Sequence, residues 1–127
     1  MNGIDYILDT NFILGLLKST PETLEIIEHR QIQSHQCAYS AITRMELLGF
    51  QNITLAEESL ILQKLSLLTY QPMTLEIENI VIHIRRTYRI KLPDAIIAAT
   101  TLAGKAQLLT FDQKLQRVLD TERVFWY

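Results

Sequence analysis

The sequence predicts an α/β protein of three layers, with helices on both faces of a central, mainly parallel sheet of four to five strands. Two observations carry this expectation. Short apolar runs alternate along the chain with amphipathic stretches of helical period, the pattern of strand–helix–strand units. The chain has 127 residues, 48% hydrophobic and 20% charged, an ordinary balance for a packed globular protein. A chain of this length buries a full core without disulfides or structural metal and leaves little room for a second one, so one domain spanning 1–127 is expected. Internal repeats, low-complexity tracts and linkers are absent from the sequence.

The first strand is read at residues 4–8, where Ile7-Leu8 leads into Asp9. Phe12, Ile13, Leu14, Leu16 and Leu17 then make a helix that is apolar nearly all round and must be covered on both sides. Thr20-Pro21 opens the next helix, with Pro at its first position; Leu24, Ile27 and Ile26 are expected inward and Glu22, Glu25 and Glu28 outward. Residues 36–40 read as a second strand. Thr43-Arg44-Met45-Glu46 has capping-box spacing, as does Thr54-Leu55-Ala56-Glu57. The second box starts a longer helix with Ile61, Leu62, Leu65 and Leu68 on one stripe.

A brief strand is read at 69–72. Thr74 caps a helix that carries Ile77, Ile80, Val81, Ile84 and Tyr88 at a 3.6 period. Pro93 opens a helix of close-packing residues, Ala95, Ile96, Ala98, Ala99, Leu102 and Ala103, which Gly104 ends. Leu108-Leu109-Thr110 reads as a buried strand, Asp112 as the start of a short helix, and Val124-Phe125-Trp126 as a final strand.

The net charge of −2 announces no nucleic-acid partner. Its distribution is more telling: Arg85, Arg86, Arg89 and Lys91 put four cations in seven residues, and without them the remainder carries −6. Such a block is either a solvated helix face or a guide for a phosphate backbone. Cys37 is the single cysteine, so no internal disulfide can form, which suits a reducing compartment. Its apolar and aromatic neighbours suggest a buried, inert thiol. With no basic-then-apolar leader and no apolar run long enough to cross a bilayer, a cytoplasmic protein without membrane contact is expected.

Four acids stand where chemistry can gather: Asp9, Glu46, Asp94 and Asp112. Asp9 follows a strand, at the carboxyl edge where open α/β sheets bind ligands. Each acid also has a purely structural role open to it. Asp9 and Asp112 can be helix caps, Glu46 the third position of a capping box, and Asp94 a partner of the helix dipole. The two roles are compatible, because acids at helix starts stay ionised. If the turns open on one edge of the sheet, the carboxylates converge. Two such charges about 4 Å apart repel by roughly 4 kcal/mol at an effective dielectric near 20. Magnesium or manganese, with hard oxygen ligands, suits such a site. Zinc does not: His29, His35 and His83 lack ligand spacing and no second cysteine exists. Neither a nucleophile elbow nor a glycine-rich phosphate loop is present.

Leu8-Asp9-Thr10-Asn11, Ile42-Thr43-Arg44-Met45-Glu46-Leu47, Leu92-Pro93-Asp94-Ala95-Ile96-Ile97-Ala98-Ala99 and Leu109-Thr110-Phe111-Asp112 resemble, in this order, the acidic motifs of PIN domains. The resemblance covers almost the whole chain, and size and motif order look like VapC-type toxins of bacterial toxin–antitoxin pairs. One departure is Gln113-Lys114-Leu115, which lacks a downstream aromatic. The resemblance implies a PIN-like fold and a metal-dependent endoribonuclease, usually dimeric and inhibited by a cognate antitoxin. Asp9, Glu46 and Asp94 would then hold the metal, with Asp112 helping directly or through water. Thr10, Asn11 and Thr110 carry side-chain oxygens able to orient acids or water, turn chemistry being their other role. Arg44 stands beside Glu46, and Arg85 and Arg89 share a helix face on which to meet RNA.

Two other classes remain open: a non-catalytic RNA-binding or regulatory module of the same fold, and an Asp9-dependent phosphatase. Clustered negative charge does nothing for RNA binding, and the phosphatase reading wants a second aspartate at position 11, which is Asn. The apolar first helix and the Ile61–Leu68 stripe suggest a groove near Leu16 and Leu65 that stays partly open. By resemblance its occupant is an antitoxin segment with a basic side chain reaching the acids. The assembly expected is a homodimer or a toxin–antitoxin hetero-oligomer.

Overall fold

A computed structural model describes residues 3–126 of the chain. Its strands are β1 (Tyr6–Leu8), β2 (Cys37–Ser40), β3 (Thr69–Gln71) and β4 (Gln107–Leu109). They form one sheet in the order β3-β2-β1-β4, parallel at every pairing. The helices are α1 (Thr10–Lys18), α2 (Pro21–His29), α3 (Ala41–Leu48), α4 (Leu55–Leu65), α5 (Leu75–Thr87), α6 (Leu92–Ala103) and α7 (Gln113–Trp126). The three-layer α/β/α architecture expected from the sequence is therefore present.

The strands divide their side chains between two cores with the strand period of two. Ile7, Ala38 and Leu108 face a core made with α5, α6 and α7. Leu8, Cys37, Tyr39 and Leu109 face the other, made with α1, α3 and α4. Because both faces of β1, β2 and β4 are covered, Ile7-Leu8, Cys37-Ala38-Tyr39 and Leu108-Leu109 read as continuous apolar runs rather than alternating ones, whereas the edge strand β3 is largely exposed. Every residue of α6 from Ala95 to Leu102 is buried. Its alanines let it lie close to the sheet, and Thr100 and Thr101 satisfy their hydroxyls on the Ile96 and Ile97 carbonyls one turn back.

β1 is followed by β2 and β3 on one side, whereas β4 joins it on the other. The reversal of direction falls between β1 and β4, so the crevice beyond their carboxyl ends is where such a sheet takes ligands. The amide of Asp9 still bonds to the Leu109 carbonyl at 3.0 Å, carrying the pairing one residue past both strands.

Several expectations are corrected. Val124-Phe125-Trp126 is not a fifth strand but the last turn of α7. Leu115, Val118, Leu119 and Glu122 are buried at helical spacing, and no Gly or Pro interrupts that helix before it reaches Val124. For the same reason the helix after Asp112 is long, not short. Glu122, 2% exposed, accepts from the Tyr88 hydroxyl at 2.7 Å and lies 2.9 Å from His83 Nε2, which ties α7 to α5. Thr43 is not a helix cap: Ser40 is, its hydroxyl accepting the Thr43 amide while Thr43 sits inside α3. The box at Thr54 and Glu57 is formed as expected. Leu24 points outward, and Thr23 is buried instead because its small side chain fits under Gly15 of α1. Cys37 is buried, and its thiol is pushed up to about 11, first by burial and then by Asp5. Among the described residues no helix is long and apolar enough to cross a membrane.

Candidate metal centre and nucleic-acid interface

The four acids come to one edge of the sheet because of where their elements begin. β1 ends at Leu8 and the chain must turn into α1, which makes Asp9 the N-cap. Its Oδ1 accepts the Thr10 amide at 2.8 Å. α6 starts at Leu92 with Pro93 in its first turn, which brings Asp94 there as well. After β4, Asp112 caps α7, its Oδ1 accepting the Leu115 amide at 3.1 Å. Glu46 is the exception: it lies well inside α3 and reaches the edge by its longer side chain.

Hydroxyl groups hold three of the acids, two by the carboxylate and one by its amide. Thr110 donates to Asp9 Oδ2 at 2.6 Å, and its oxygen in turn accepts the Asp112 amide at 3.0 Å, so one side chain ties both acids to the end of β4. Thr10 donates to Glu46 Oε1 at 2.7 Å. Since a hydroxyl has one proton, the 2.9 Å contact between Thr10 and Thr43 has Thr43 donating. Ser40 donates to Thr43 at 3.2 Å. The result is a directed chain, Ser40 to Thr43 to Thr10 to the Glu46 carboxylate, running across β2, α3 and α1. Thr43 and Ser40 are fully buried, so the chain is shielded from competing water along most of its length.

The electrostatics record the crowding. Asp9 is buried and its pKa is raised, chiefly by desolvation; the bonds from Thr110 and Thr10 oppose this, and the charges of Asp94 and Asp112 add to it. Asp94 is raised too, first by burial, then by Asp112 and Glu46, with Lys91 and Lys114 opposing. Asp94 thus interacts with Asp9, Asp112 and Glu46 although the four come from separate segments. Among the described residues no three Asp, Glu, His or Cys side chains stand as a complete ligand group. Magnesium does not demand one, since it keeps several waters and binds through one or two carboxylates. The donor set, hard oxygens carrying mutually destabilising charge, fits such an ion.

The remaining candidates divide. Asn11 is exposed on the first turn of α1 and takes no part in these hydrogen bonds. Arg44 is exposed and its charge acts on Tyr39, whose hydroxyl is raised chiefly by burial against that influence; it is not gathered with the acids. Arg85 and Arg89 do not share a helix face as expected, because α5 ends at Thr87 with Tyr88 extended and Arg89 lies in the connection to α6, but both line one cavity with Asp94 and Asp112. Lys91 and Lys114 line the same cavity, which has a volume of about 490 Å³. Ser40, Thr43 and Lys114 were not among the residues expected here, whereas Lys91 belongs to the basic run read from the sequence. Ser40 stands three residues before Thr43, a spacing that signals an N-cap, but the competing Thr43–Glu46 box masked it.

A second cavity, about 590 Å³ and mostly apolar, opens beside Thr10 and Glu46, with Leu14, Leu17, Phe50 and Leu60 among its lining. It is the expected groove between α1 and α4, but Leu16 and Leu65 do not line it. Leu65 is buried at 3% exposure, because position 65 faces the sheet while position 60 faces away. Leu62, expected on the same stripe, is exposed.

A family model described as PIN domain matches residues 6–120. Among solved structures, a toxin–antitoxin complex from Klebsiella pneumoniae contains a chain 29% identical to this one, with a TM-score of 0.73, covering 87% of this chain and 88% of that. VapBC2 from Rickettsia felis bound to a DNA fragment from its promoter gives 21% identity, a TM-score of 0.73 and coverage of 91% and 93%. FitAcB from Neisseria gonorrhoeae gives 23% identity, a TM-score of 0.71 and coverage of 91% and 93%. The last two identities speak for the fold alone. No curated protein sequence matches.

Proposed function

The chain belongs to the PIN domain family, and from that premise we propose that it is a divalent-metal-dependent endoribonuclease, the toxin of a type II toxin–antitoxin pair. The carrying observation is the gathering of acids around Asp94 at the switch point of a parallel sheet, where it interacts with Asp9, Asp112 and Glu46. An RNA-binding module has no use for four converging carboxylates, whereas a hydrolase that positions a cation does.

Asp9, Glu46 and Asp94 would hold Mg²⁺ or Mn²⁺, directly or through the waters of its shell, with Asp112 helping directly or through water. When bound, the ion supplies a water of lowered pKa and stabilises charge at phosphorus. The chain's own residues set the stage for it. Thr110 fixes Asp9 Oδ2, and the α1 amide fixes Oδ1. Thr10, held by Thr43 and Ser40, fixes Glu46. Both acids keep their orientation before the ion arrives, which is the part that outer partners play in metal sites. Arg85 and Arg89 offer charge to the RNA backbone beside Asp94.

The chain works as one domain over 1–127, in the cytoplasm, as a homodimer or in a hetero-oligomer with its antitoxin. The solved relatives named above include a toxin–antitoxin complex at 29% identity, which supports a protein inhibitor. Its segment would occupy the apolar groove of Leu14, Leu17, Phe50 and Leu60, whose rim reaches Glu46. From there a basic side chain enters the acid cluster, relieving its repulsion and competing with metal.

The test is cleavage of a labelled RNA with magnesium, with manganese and with chelator, on the parent and on Asp94→Asn. Cleavage that needs metal and is lost in a folded Asp94→Asn protein is expected. Full activity in chelator, or in Asp94→Asn, refutes the reading; RNA binding without cleavage in every condition favours a regulatory module instead.

A further inference from the structure

The cavity walled by Arg85, Arg89, Lys91 and Lys114 has a charge that the metal site does not explain. Among its lining residues four cations stand with two acids, so its wall offers more positive than negative charge to a phosphate group. Its lysines offset part of the repulsion at Asp94, but their places in the helices work against them. Lys91 is the N-cap of α6 and Lys114 lies in the first turn of α7, where the helix dipole disfavours a cation. Lys114 is nonetheless held in place: its Nζ donates to the Arg89 carbonyl at 2.6 Å, and Arg85 Nη1 donates to the Ile90 carbonyl at 3.2 Å. Two cations thus clasp the connection between α5 and α6, with their charged ends beside the acids. Both bonds are exposed, and an incoming phosphate oxygen can replace a neutral carbonyl as partner, since the bond to an anion is roughly twice as strong. The volume of about 490 Å³ lies in the range that holds a small ligand, about 300–1,000 Å³.

We propose that this cavity is a subsite for the RNA phosphate next to the one that is cleaved, and that Lys114 binds it by exchanging the Arg89 carbonyl for a phosphate oxygen. The proposal rests on the ribonuclease reading and deepens it. The acids lie between two different surfaces, the cationic cavity reached through Asp94 and Asp112 and the apolar groove reached through Thr10 and Glu46, and the two share no lining residue. Backbone charge is taken on the first side, which gives the strand a direction through the site.

The experiment measures binding of a fluorescein-labelled single-stranded RNA of mixed sequence to the full chain, in chelator, across a salt series. Lys114→Gln is expected to weaken binding about three- to tenfold and to lower the slope of log K against log salt by about 0.7, the loss of one phosphate contact on a single strand. Lys114→Arg should keep the parent slope. With metal present, Lys114→Gln should raise KM more than it lowers kcat. In addition, a neutral methylphosphonate placed at the linkage beside the scissile one should weaken the parent and leave Lys114→Gln no weaker than before. A role limited to clasping the α5–α6 connection changes neither the salt slope nor the response to the neutral linkage. If Lys114→Gln fails to fold, Arg89→Gln serves in its place, with the same slope change expected. A folded variant with the parent slope overturns the subsite while parent cleavage leaves the nuclease reading standing; a parent that neither binds nor cleaves RNA overturns both.

Discussion

Replacing Thr110 by Val isolates the hydroxyl that ties Asp9 to the end of β4. Valine keeps the shape and removes a 2.6 Å bond to Asp9 Oδ2 and the acceptor of the Asp112 amide. The second loss is small, because Asp112 is exposed and its amide turns to water. The first is not, because Asp9 is only 7% exposed and a hydrogen bond to a charged group contributes about 1.5–3 kcal/mol. Part of that is recovered because Thr110 itself is half-buried, so a loss of about 1–2 kcal/mol at neutral pH is expected. For a chain of this length this lowers Tm by roughly 4–8 °C. The sign of the pH effect follows from the same bond. Thr110 favours the ionised form of Asp9, so its removal raises the Asp9 pKa further, and the difference between variant and parent shrinks as pH falls and Asp9 protonates. Urea unfolding at several pH values reads the stability, and a pH–rate profile of RNA cleavage should show the acid limb moved to higher pH with metal affinity reduced about 10–100-fold. Thr110→Ser should restore both. A Thr110→Val protein with parent stability at neutral pH and an unmoved acid limb refutes the argument that this hydroxyl holds Asp9 in its ionised form.

Three further outcomes follow from the geometry. Asp9 and Asp94 are both raised above the ordinary aspartate value of 3.8, so the folded state binds their protons more tightly than the unfolded chain does. Their contribution to stability therefore falls as pH rises from 3.8 through the raised values. Thermal unfolding should show the Asp9→Asn/Asp94→Asn protein gaining on the parent as pH rises through that window, and magnesium narrowing the gap at neutral pH; a pH-independent difference contradicts the linkage. Gly15→Ala places a Cβ 2.1 Å from the hydroxyl of buried Thr23, which is itself bonded to Thr20 at 2.7 Å. Overpacking of about 1–3 kcal/mol should exceed the gain of about 1 kcal/mol in helix propensity, and chemical denaturation should find most of that cost gone in a Thr23→Ala background. Leu60→Glu, on an exposed wall of the apolar groove, should weaken inhibition by antitoxin at least tenfold, roughly the loss of one buried leucine, with cleavage near the parent level; equal inhibition places the inhibitor elsewhere.

The elements were legible because their signals are local. Pro21, Pro93, Thr54 and Thr74 mark helix starts within one turn, and the 3.6 period of α5 needs only its own residues. The acids at Asp9, Asp94 and Asp112 were legible for the same reason, each lying at a strand end or a first helical turn. Errors arose where two local signals competed. Thr43-x-x-Glu46 matched a cap as well as Ser40 did, and the apolar Val124-Phe125-Trp126 matched a strand as well as a helix end.

What the tertiary structure alone decided is which groups meet across long stretches of chain. Thr110 and Asp9 are 101 residues apart, and Thr10 and Glu46 are 36. Their bonds depend on the β3-β2-β1-β4 order, which places β4 beside β1 and puts the Ser40 end of β2 on its other side. Local periodicity determines that a strand exists and that both its faces are buried; it carries no information on which strand lies next to it. The same holds for charge. The run from Arg85 to Lys91 is visible in the sequence, but Lys114 joins it only because α7 starts against the α5–α6 connection. The electrostatic field at the acids is a sum over distances in space, and those distances are set by packing the helices on the sheet.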